Sequence, residues 1–215
     1  MPETPSPAES PTALERILTD AQRRGFLGPG PLRDHIQHSV AFAALVPQPP
    51  RTAVDLGSGG GVPGLVLARR WPDSAWILLE AGARRAAFLG RAVDELGLAG
   101  RVQVCHQRAE VAGHDPERRG RADLVVARSF GPPAVVAECG APLLRVGGVL
   151  LVAEPPGGAP ERWPADGLRR LGLVPDGAIT APRAIQRLRS VTPCPDSFPR
   201  RTGVPAKRPL FTGPD

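Results

Sequence analysis

The chain has 215 residues and 41% of them are hydrophobic, which is enough for one domain with a full core and excludes collagen-like and disordered compositions. Its formal net charge of +6 comes almost wholly from arginine, which suits a nucleic-acid partner but also arises from a genome biased toward arginine codons. The 3 cysteines form no CxxC pair. No run approaches about 18 apolar residues. We therefore expect a soluble cytoplasmic monomer without a metal site, a disulfide framework or a membrane span.

Two helices are predicted ahead of the first strand, where they can cover a site. Apolar residues recur at helical spacing over 12–23 and 31–46. The first pattern ends at Gly25 and the second at Pro47, as glycine and proline commonly end helices.

From Thr52 onward, short apolar runs alternate with helical patterns. This alternation predicts an α/β, Rossmann-like fold with a mostly parallel seven-stranded sheet and helices on both faces. The predicted strands are 52–56, 76–79, 102–105, 124–127 and 149–153, and the helices among them are 62–70, 83–96 and 133–144. A last helix is expected at 168–171, and the runs 184–188 and 189–191 are expected to form a closing hairpin.

A glycine-rich loop with the sequence DLGSGGGVPG follows the first strand and opens a helix, the setting in which nucleotide-type ligands bind. Gly57 and Gly59, with Ser58 between them, allow a tight turn at positive φ. Gly61 is expected to let the backbone approach the ligand, because a side chain there would occupy the ligand's space. Asp55 would repel a pyrophosphate but can accept hydrogen bonds from an ammonium group. The loop therefore favours S-adenosylmethionine over NAD.

Polar residues follow each of the next three strands. Glu80 closes the second strand, where a carboxylate can accept hydrogen bonds from both ribose hydroxyls, although a solvated turn residue is the alternative. An Arg-Ala-Glu run at 108–110 follows the third strand, where a related sheet places adenine. An Arg-Ser-Phe run at 128–130 follows the fourth. Taken alone, these two runs are weak signals, since an arginine near a carboxylate is more often a surface pair.

With these segments in order, the chain resembles the bacterial 16S rRNA (guanine-N7) methyltransferase family, also known as the glucose-inhibited division protein B family. The resemblance spans nearly the whole chain and implies a class I S-adenosylmethionine-dependent methyltransferase. Its specific parts are the loop 55–64 with its Val-Pro-Gly ending, RRAAFL at 84–89, RAE at 108–110, ARS at 127–129, a histidine before the first strand, and FPRRTGVPAKRPL at 198–210.

The resemblance implies S-adenosylmethionine as the cofactor and a guanine of 16S rRNA, naked or within the small ribosomal subunit, as the substrate. It implies that Gly57 and Val62 contact the cofactor. Ala109 and Glu110 would flank the adenine. Arg128 would lie near the methionine end or the incoming guanine, as the candidate catalytic residue. Guanine N7 carries a lone pair, so its methylation needs no proton removal and depends on positioning.

Five residues are candidates for RNA contacts on the same resemblance. His35 precedes the first strand, and its alternative is a structural histidine. The others lie in a basic tail that its prolines are expected to keep extended, and the alternative for this tail is a solvated end. The tail candidates are Arg200, Arg201, Lys207 and Arg208.

The chain is expected to divide into a helical cap with a disordered start at 1–50, a methyltransferase core at 51–195 and a basic, proline-rich tail at 196–215. The proline-rich edges are expected to be mobile.

The chain departs from the family pattern at Glu154 and Pro155, where the family usually has Lys-Gly. A glutamate there would repel a substrate phosphate. The loop 130–133 is also stiffer than its family counterpart. Three functions therefore stay open: an rRNA guanine-N7 methyltransferase, a methyltransferase on a small molecule or another RNA, and a non-catalytic descendant that binds S-adenosylmethionine or RNA. An NAD oxidoreductase is disfavoured by the glycine spacing and by Asp55.

Overall fold

A computed structural model describes residues 11–158 and 160–212. The strands in these ranges are β1 (Thr52–Leu56), β2 (Ala75–Leu79), β3 (Val102–Cys105), β4 (Ala122–Ala127), β5 (Leu144–Ala153), β6 (Leu173–Ile179) and β7 (Ile185–Ser190). The α-helices are α1 (Ala13–Arg23), α2 (Leu32–Ala43), α3 (Gly64–Arg70), α4 (Ala83–Glu95), α5 (Ala109–Ala112), α6 (Pro133–Gly140), α7 (Ala165–Arg169) and α8 (Val204–Lys207). Short 3₁₀ helices lie at Ala141–Leu143 and Pro160–Arg162.

All seven strands form one sheet in the order β3-β2-β1-β4-β5-β7-β6. The five strands from β3 to β5 are parallel, whereas β7 runs antiparallel to both β5 and β6. The direction in which the chain adds strands reverses between β1 and β4, and ligands of such sheets bind at the carboxyl ends of the strands at this switch point. The predicted fold class is confirmed.

Helices cover both faces of the sheet and pack their apolar sides against it. One face packs against α1–α4, where Leu18, Leu65 and Leu89 are fully buried. The other face packs against α5–α7, where Val136 and Leu168 are buried. The sheet is therefore buried on both sides, as its continuous apolar strands predicted.

The predicted N-terminal helices are both present. Thr12 begins α1 through a capping box, in which its backbone N–H donates to the Glu15 carboxylate at 2.8 Å and its hydroxyl accepts from the Glu15 N–H. Such a cap stabilises a helix by about 1 kcal/mol. The buried positions of α1 are Leu14, Ile17, Leu18 and Ala21, as the helical spacing predicted.

The C-terminal part of the sheet differs from the prediction. Ile185–Ser190 is a single strand rather than a hairpin. It pairs with β5 on one side and with β6 on the other, and β6 was not indicated by the sequence pattern. β6 lies at the edge of the sheet and contains Pro175 and Gly177, with a register shift between Pro175 and Ala178. Proline has no N–H to donate, and it is tolerated in an edge strand because no further strand needs that donor. The sequence of β6 therefore lacks the alternating pattern by which strands are usually recognised.

Two helix predictions are also corrected. The helix expected over 133–144 ends at Gly140, and a 3₁₀ turn then leads into β5 at Leu144. The helix expected at 168–171 is shifted to Ala165–Arg169. The short helix α5 was not predicted, because four residues are too few to show a helical period.

The basic tail is not extended. Val204–Lys207 forms α8, in which Pro205 occupies the first turn, a position where its missing N–H costs little. Phe198, Leu210 and Phe211 pack against the core beside α6 and α7. The tail is therefore part of the folded domain.

The disordered start that we expect falls on residues 1–10, which lie outside the described ranges. Within 11–158 and 160–212, no helix combines the length and hydropathy needed to cross a membrane.

Candidate cofactor and substrate site

A cavity of about 370 Å³ opens at the carboxyl ends of β1, β2 and β4. Its wall is formed by the glycine loop at 57–60, Glu80, Ala109 and residues 128–130, and the α1–α2 connection at 26–28 closes one side. The volume lies in the range of small-molecule sites, and the position is the switch point of the sheet. We call this space the first cavity.

The backbone of the glycine loop adopts the predicted turn. Gly57 has a φ of 73° and Gly59 a φ of 54°, a region that favours glycine. The N–H groups of Gly57 and Ser58 donate to the Leu79 carbonyl at 2.8 and 3.0 Å, which ties the loop to the end of β2. The loop residues that line the cavity are Gly57, Ser58, Gly59, Gly60 and Val62.

The interpretation of Gly61 is wrong. Gly61 has a φ of 94° and does not line the cavity. A Cβ atom at Gly61 would meet the side chain of Leu65, so the space beside Gly61 is filled by α3 and is not open to a ligand, and the positive φ favours glycine as well. At Gly57 a Cβ would instead meet the ring of Phe130, which lies over the loop.

Asp55 lies behind the wall of the cavity. Its side chain is 1% exposed, and Oδ2 accepts a hydrogen bond from the Gly64 N–H at 3.0 Å. Oδ1 is buried and finds no donor in the described part of the chain. Burial raises the pKa of Asp55 to about 7, and the Gly64 hydrogen bond counteracts this only in part. The ammonium contact stays a prediction, for which Oδ1 is the available acceptor.

Glu80 is held at the wall of the first cavity by three neighbouring groups. Its side chain accepts hydrogen bonds from the Gly59 N–H at 3.0 Å and the Gly82 N–H at 2.7 Å, and the Arg85 guanidinium lies 2.9 Å away. The residue is only 3% exposed, so the alternative of a solvated turn residue is wrong. A carboxylate has about four acceptor positions, which leaves capacity for a ribose hydroxyl.

The Arg-Ala-Glu run divides between two environments. Ala109 lines the first cavity together with Gln107. Glu110 does not line it, and its carboxylate accepts a hydrogen bond from the Gly203 N–H in the tail at 2.9 Å. The structure thus brings Ala109 to the expected adenine wall and uses the Glu110 side chain to hold the tail.

Arg128 lines the first cavity and is fixed by His35. Its Nη2 donates to His35 Nδ1 at 2.6 Å. Arginine can only donate, so this histidine nitrogen carries no proton. Burial, followed by the charge of Arg128, lowers the pKa of His35, which is consistent with a neutral ring. His35 is buried and holds Arg128, rather than presenting itself to RNA.

The tail arginines differ from one another. Arg200 forms a bidentate ion pair with the fully buried Glu138, with N–O distances of 2.8 and 2.7 Å, and also donates to the Arg208 carbonyl. Arg201, Lys207 and Arg208 are exposed, and none of them pairs with an acidic side chain in the ranges that the structure covers. Three of the four tail candidates therefore face solvent.

Several lining residues were not identified from the sequence. Phe26, Leu27 and Gly28 come from the predicted cap, but a loop between two helices gives no signal for its own position. Ser129 has a φ of 55°, which is unusual for a residue other than glycine and often marks a functional site. It belongs to the Arg-Ser-Phe run that the sequence already indicated after the fourth strand.

The chain was compared with known families and structures. Residues 30–154, more than half of the chain, match the family described as rRNA small subunit methyltransferase G. A relative named ribosomal RNA small subunit methyltransferase G, from Parasynechococcus marenigrum (strain WH8102), is 39% identical over 178 residues, which cover 76% of this chain and 69% of the relative.

Solved structures show the same fold. A methyltransferase from Geobacter sulfurreducens aligns with a TM-score of 0.61 at 14% identity, over 85% of this chain and 92% of its own. Geranyl diphosphate C-methyltransferase from Streptomyces coelicolor A3(2), in complex with Mg²⁺, geranyl diphosphate and S-adenosyl-L-homocysteine, aligns with a TM-score of 0.56 at 14% identity, over 72% of this chain and 79% of its own. The family match and the sequence relative confirm the resemblance: the chain belongs to the rRNA small subunit methyltransferase G family.

Proposed function

We propose that this protein is an S-adenosylmethionine-dependent methyltransferase that methylates N7 of a guanine in 16S rRNA of the small ribosomal subunit. One observation carries the proposal: the family match over 30–154 contains most of the wall of the first cavity, including the glycine loop, Glu80, Ala109 and Arg128. A substrate of this kind also places the protein in the cytoplasm.

The residues of the first cavity fit the proposed cofactor. Glu80 offers a fixed acceptor for the ribose hydroxyls, and Ala109 offers a small apolar surface for the adenine. Oδ1 of Asp55, which lies behind the wall of this cavity, is the acceptor that we propose for the ammonium group, directly or through water. When bound, S-adenosylmethionine supplies an electrophilic methyl group on a sulfonium.

Arg128 is the residue that we assign to the positioning of the reacting base. The His35 contact fixes its guanidinium, and Nη1 is buried without a partner among the described residues. The guanine O6 lies beside N7 on the same edge of the base, and arginine is a common donor to both atoms. A hydrogen bond donated by Arg128 to O6 would hold N7 in line with the methyl group, and no general base would be needed.

The exposed cations of the tail are the proposed contacts to RNA phosphates. Arg201, Lys207 and Arg208 carry charges that the described acidic side chains do not neutralise. Arg200 is left out of this set, because it is engaged with Glu138. Gly203 is bound to Glu110, one residue from Ala109, so the tail lies next to the first cavity.

The proposal is tested by deleting the gene in its host and mapping 7-methylguanosine along the small-subunit rRNA. We expect the methyl group at one guanine to disappear and to return with the wild-type gene but not with Arg128→Ala. Arg121→Ala removes an exposed arginine outside the site and serves as the matched control. An unchanged map after deletion would refute the rRNA substrate and favour a small molecule, another RNA or a non-catalytic role.

A further inference from the structure

A second cavity, of about 410 Å³, shares a wall with the first. Residues 128–130 line both spaces, so the two cavities adjoin at the Arg-Ser-Phe run. The far side of the second cavity is formed by β5 and the segment that follows it, including Glu154 and Arg162. A base bound in the second cavity would have one edge directed at the first.

The polar groups of the second cavity are of two kinds. Nη1 of Arg128 and Nε2 of His38 are buried and have no hydrogen-bond partner within 11–158 and 160–212. Burial, helped by Arg128, lowers the pKa of His38 to about 4, so its ring is neutral near pH 7. Glu154 is the acidic residue of this cavity, and its side chain is 5% exposed. The space therefore holds an unpaired arginine donor and a neutral imidazole near the shared wall, together with a carboxylate acceptor.

Burial raises the pKa of Glu154, and this rise is counteracted in part by Arg162. Its guanidinium is hydrogen-bonded to Oε2 of Glu154, and the indole of Trp163 lies beside the same group. Because the charges of Glu154 and Arg162 nearly cancel, Glu154 repels RNA phosphates less than a lone carboxylate would. Arg162 also restricts the orientation of Glu154. A carboxylate with about four acceptor positions keeps capacity for further donors.

The edges of guanine match this arrangement. N7 and O6 are acceptors on one edge, whereas N1–H and the N2 amino group are donors on another. Enzymes that modify a base commonly take it out of the helix and read its Watson–Crick edge with hydrogen bonds. With N7 facing the first cavity and O6 facing Arg128, the N1–H and N2 donors point away from the shared wall. Adenine has an acceptor at N1 and lacks the N2 amino group.

We propose that the second cavity receives the target guanine and that Glu154 selects it by accepting hydrogen bonds from N1–H and the N2 amino group. This assignment rests on the proposed function and adds a specificity-determining residue to it. Arg162 is then a positioning residue, because it acts through Glu154.

The test compares small subunits reconstituted with guanosine or inosine at the mapped target nucleotide. Inosine keeps N7, O6 and N1–H but lacks the N2 amino group. We expect the wild-type chain to lose roughly 5-fold to 100-fold in kcat/KM on inosine, the range for losing a base-specific contact. Glu154→Gln should lose a comparable factor on guanosine, and its guanosine-to-inosine ratio should fall toward one. Glu161→Gln, on the same 3₁₀ helix as Arg162 but exposed, should match the wild type.

Arg162→Gln separates selection from a structural ion pair. It removes the ion pair and keeps the carboxylate, so its guanosine-to-inosine ratio should stay well above one even if its activity falls. A Glu154→Gln variant that keeps the wild-type ratio would overturn the inference. Equal rates of the wild-type chain on guanosine and inosine would also overturn it, even if no Glu154 variant folds. No methylation of guanosine by the wild type would overturn the proposed function together with this inference.

Discussion

The glycine loop and the basic tail were both assigned from the sequence, but only the loop has the structure that the assignment implied. In the loop, Gly57 and Gly59 adopt positive φ and line the first cavity. In the tail, Arg200 is bound to a buried carboxylate and Val204–Lys207 is helical. A conformational requirement of the backbone is local and can be read from one residue type. The partner of an arginine depends on the whole fold.

The largest predicted effect concerns Asp55 in the loop. Its pKa is raised to about 7, so the folded state holds a proton that the unfolded chain loses near pH 4. The folded state therefore binds more protons between these values, and the wild type should lose stability as pH rises from about 4 to 7, by up to roughly 4 kcal/mol. Asp55→Asn keeps an acceptor for the Gly64 N–H and should not show this loss.

The measurement is urea unfolding of both proteins from pH 4 to 8. The free energy of unfolding of the wild type, relative to that of Asp55→Asn, should fall with rising pH. A difference that does not change with pH would mean that Asp55 titrates as an ordinary carboxyl group.

In the tail, neighbouring arginines should behave differently. Arg200→Ala leaves the fully buried Glu138 without its ion-pair partner and should lower the free energy of unfolding by about 3 kcal/mol. Arg201→Ala removes an exposed charge and should change it by less than about 0.5 kcal/mol. Chemical denaturation of the two variants tests this contrast. Equal losses of stability would contradict the division of the tail into structural and RNA-facing residues.

Glu80 should determine cofactor affinity. Glu80→Gln removes the charge and directs an amide N–H toward the N–H groups of the loop, so S-adenosylmethionine should bind roughly 10-fold to 100-fold more weakly. Isothermal titration calorimetry gives the dissociation constant. Glu117→Gln, an exposed residue outside the first cavity, is the control. If Glu80→Gln binds S-adenosylmethionine with wild-type affinity, another residue must bind the ribose hydroxyls.

The smallest predicted effect is on the salt dependence of RNA binding. Arg201→Ala and Lys207→Ala should each lower the slope of log K against log salt by about 0.7–0.9, the value for one phosphate contact. Arg200→Ala should leave the slope unchanged under conditions in which it is folded, because its guanidinium is engaged with Glu138. Binding titrations at several salt concentrations measure the slopes. A reduced slope for Arg200→Ala alone would reverse the assignment.

The parts predicted correctly from the sequence are those with a local physical signature. The buried face of α1 and the strand–glycine–helix order around Gly57 follow from periodicity and backbone freedom. Gly61 was misassigned, because its neighbour Leu65 lies one helical turn away and packs into the space beside it. The edge strand β6 was missed because Pro175 and Gly177 interrupt its pattern.

The contacts of the site that were missed join residues far apart in the chain. The pairs His35–Arg128, Glu110–Gly203 and Glu138–Arg200 are separated by 93, 93 and 62 positions. Residues so far apart show no common periodicity in the sequence. Any arginine in the chain could in principle pair with His35 or Glu138, so the sequence does not show which one does. Their pairing follows only from the order of the strands and the packing of the tail.

The most direct test of the proposed function uses the purified chain, methyl-labelled S-adenosylmethionine and small ribosomal subunits from a host that lacks the gene. We predict that label enters one guanine of the 16S rRNA and is recovered as 7-methylguanosine, at the position whose methylation the deletion removes. No transfer of label, or label recovered only in another base or at another atom of guanine, would contradict the account.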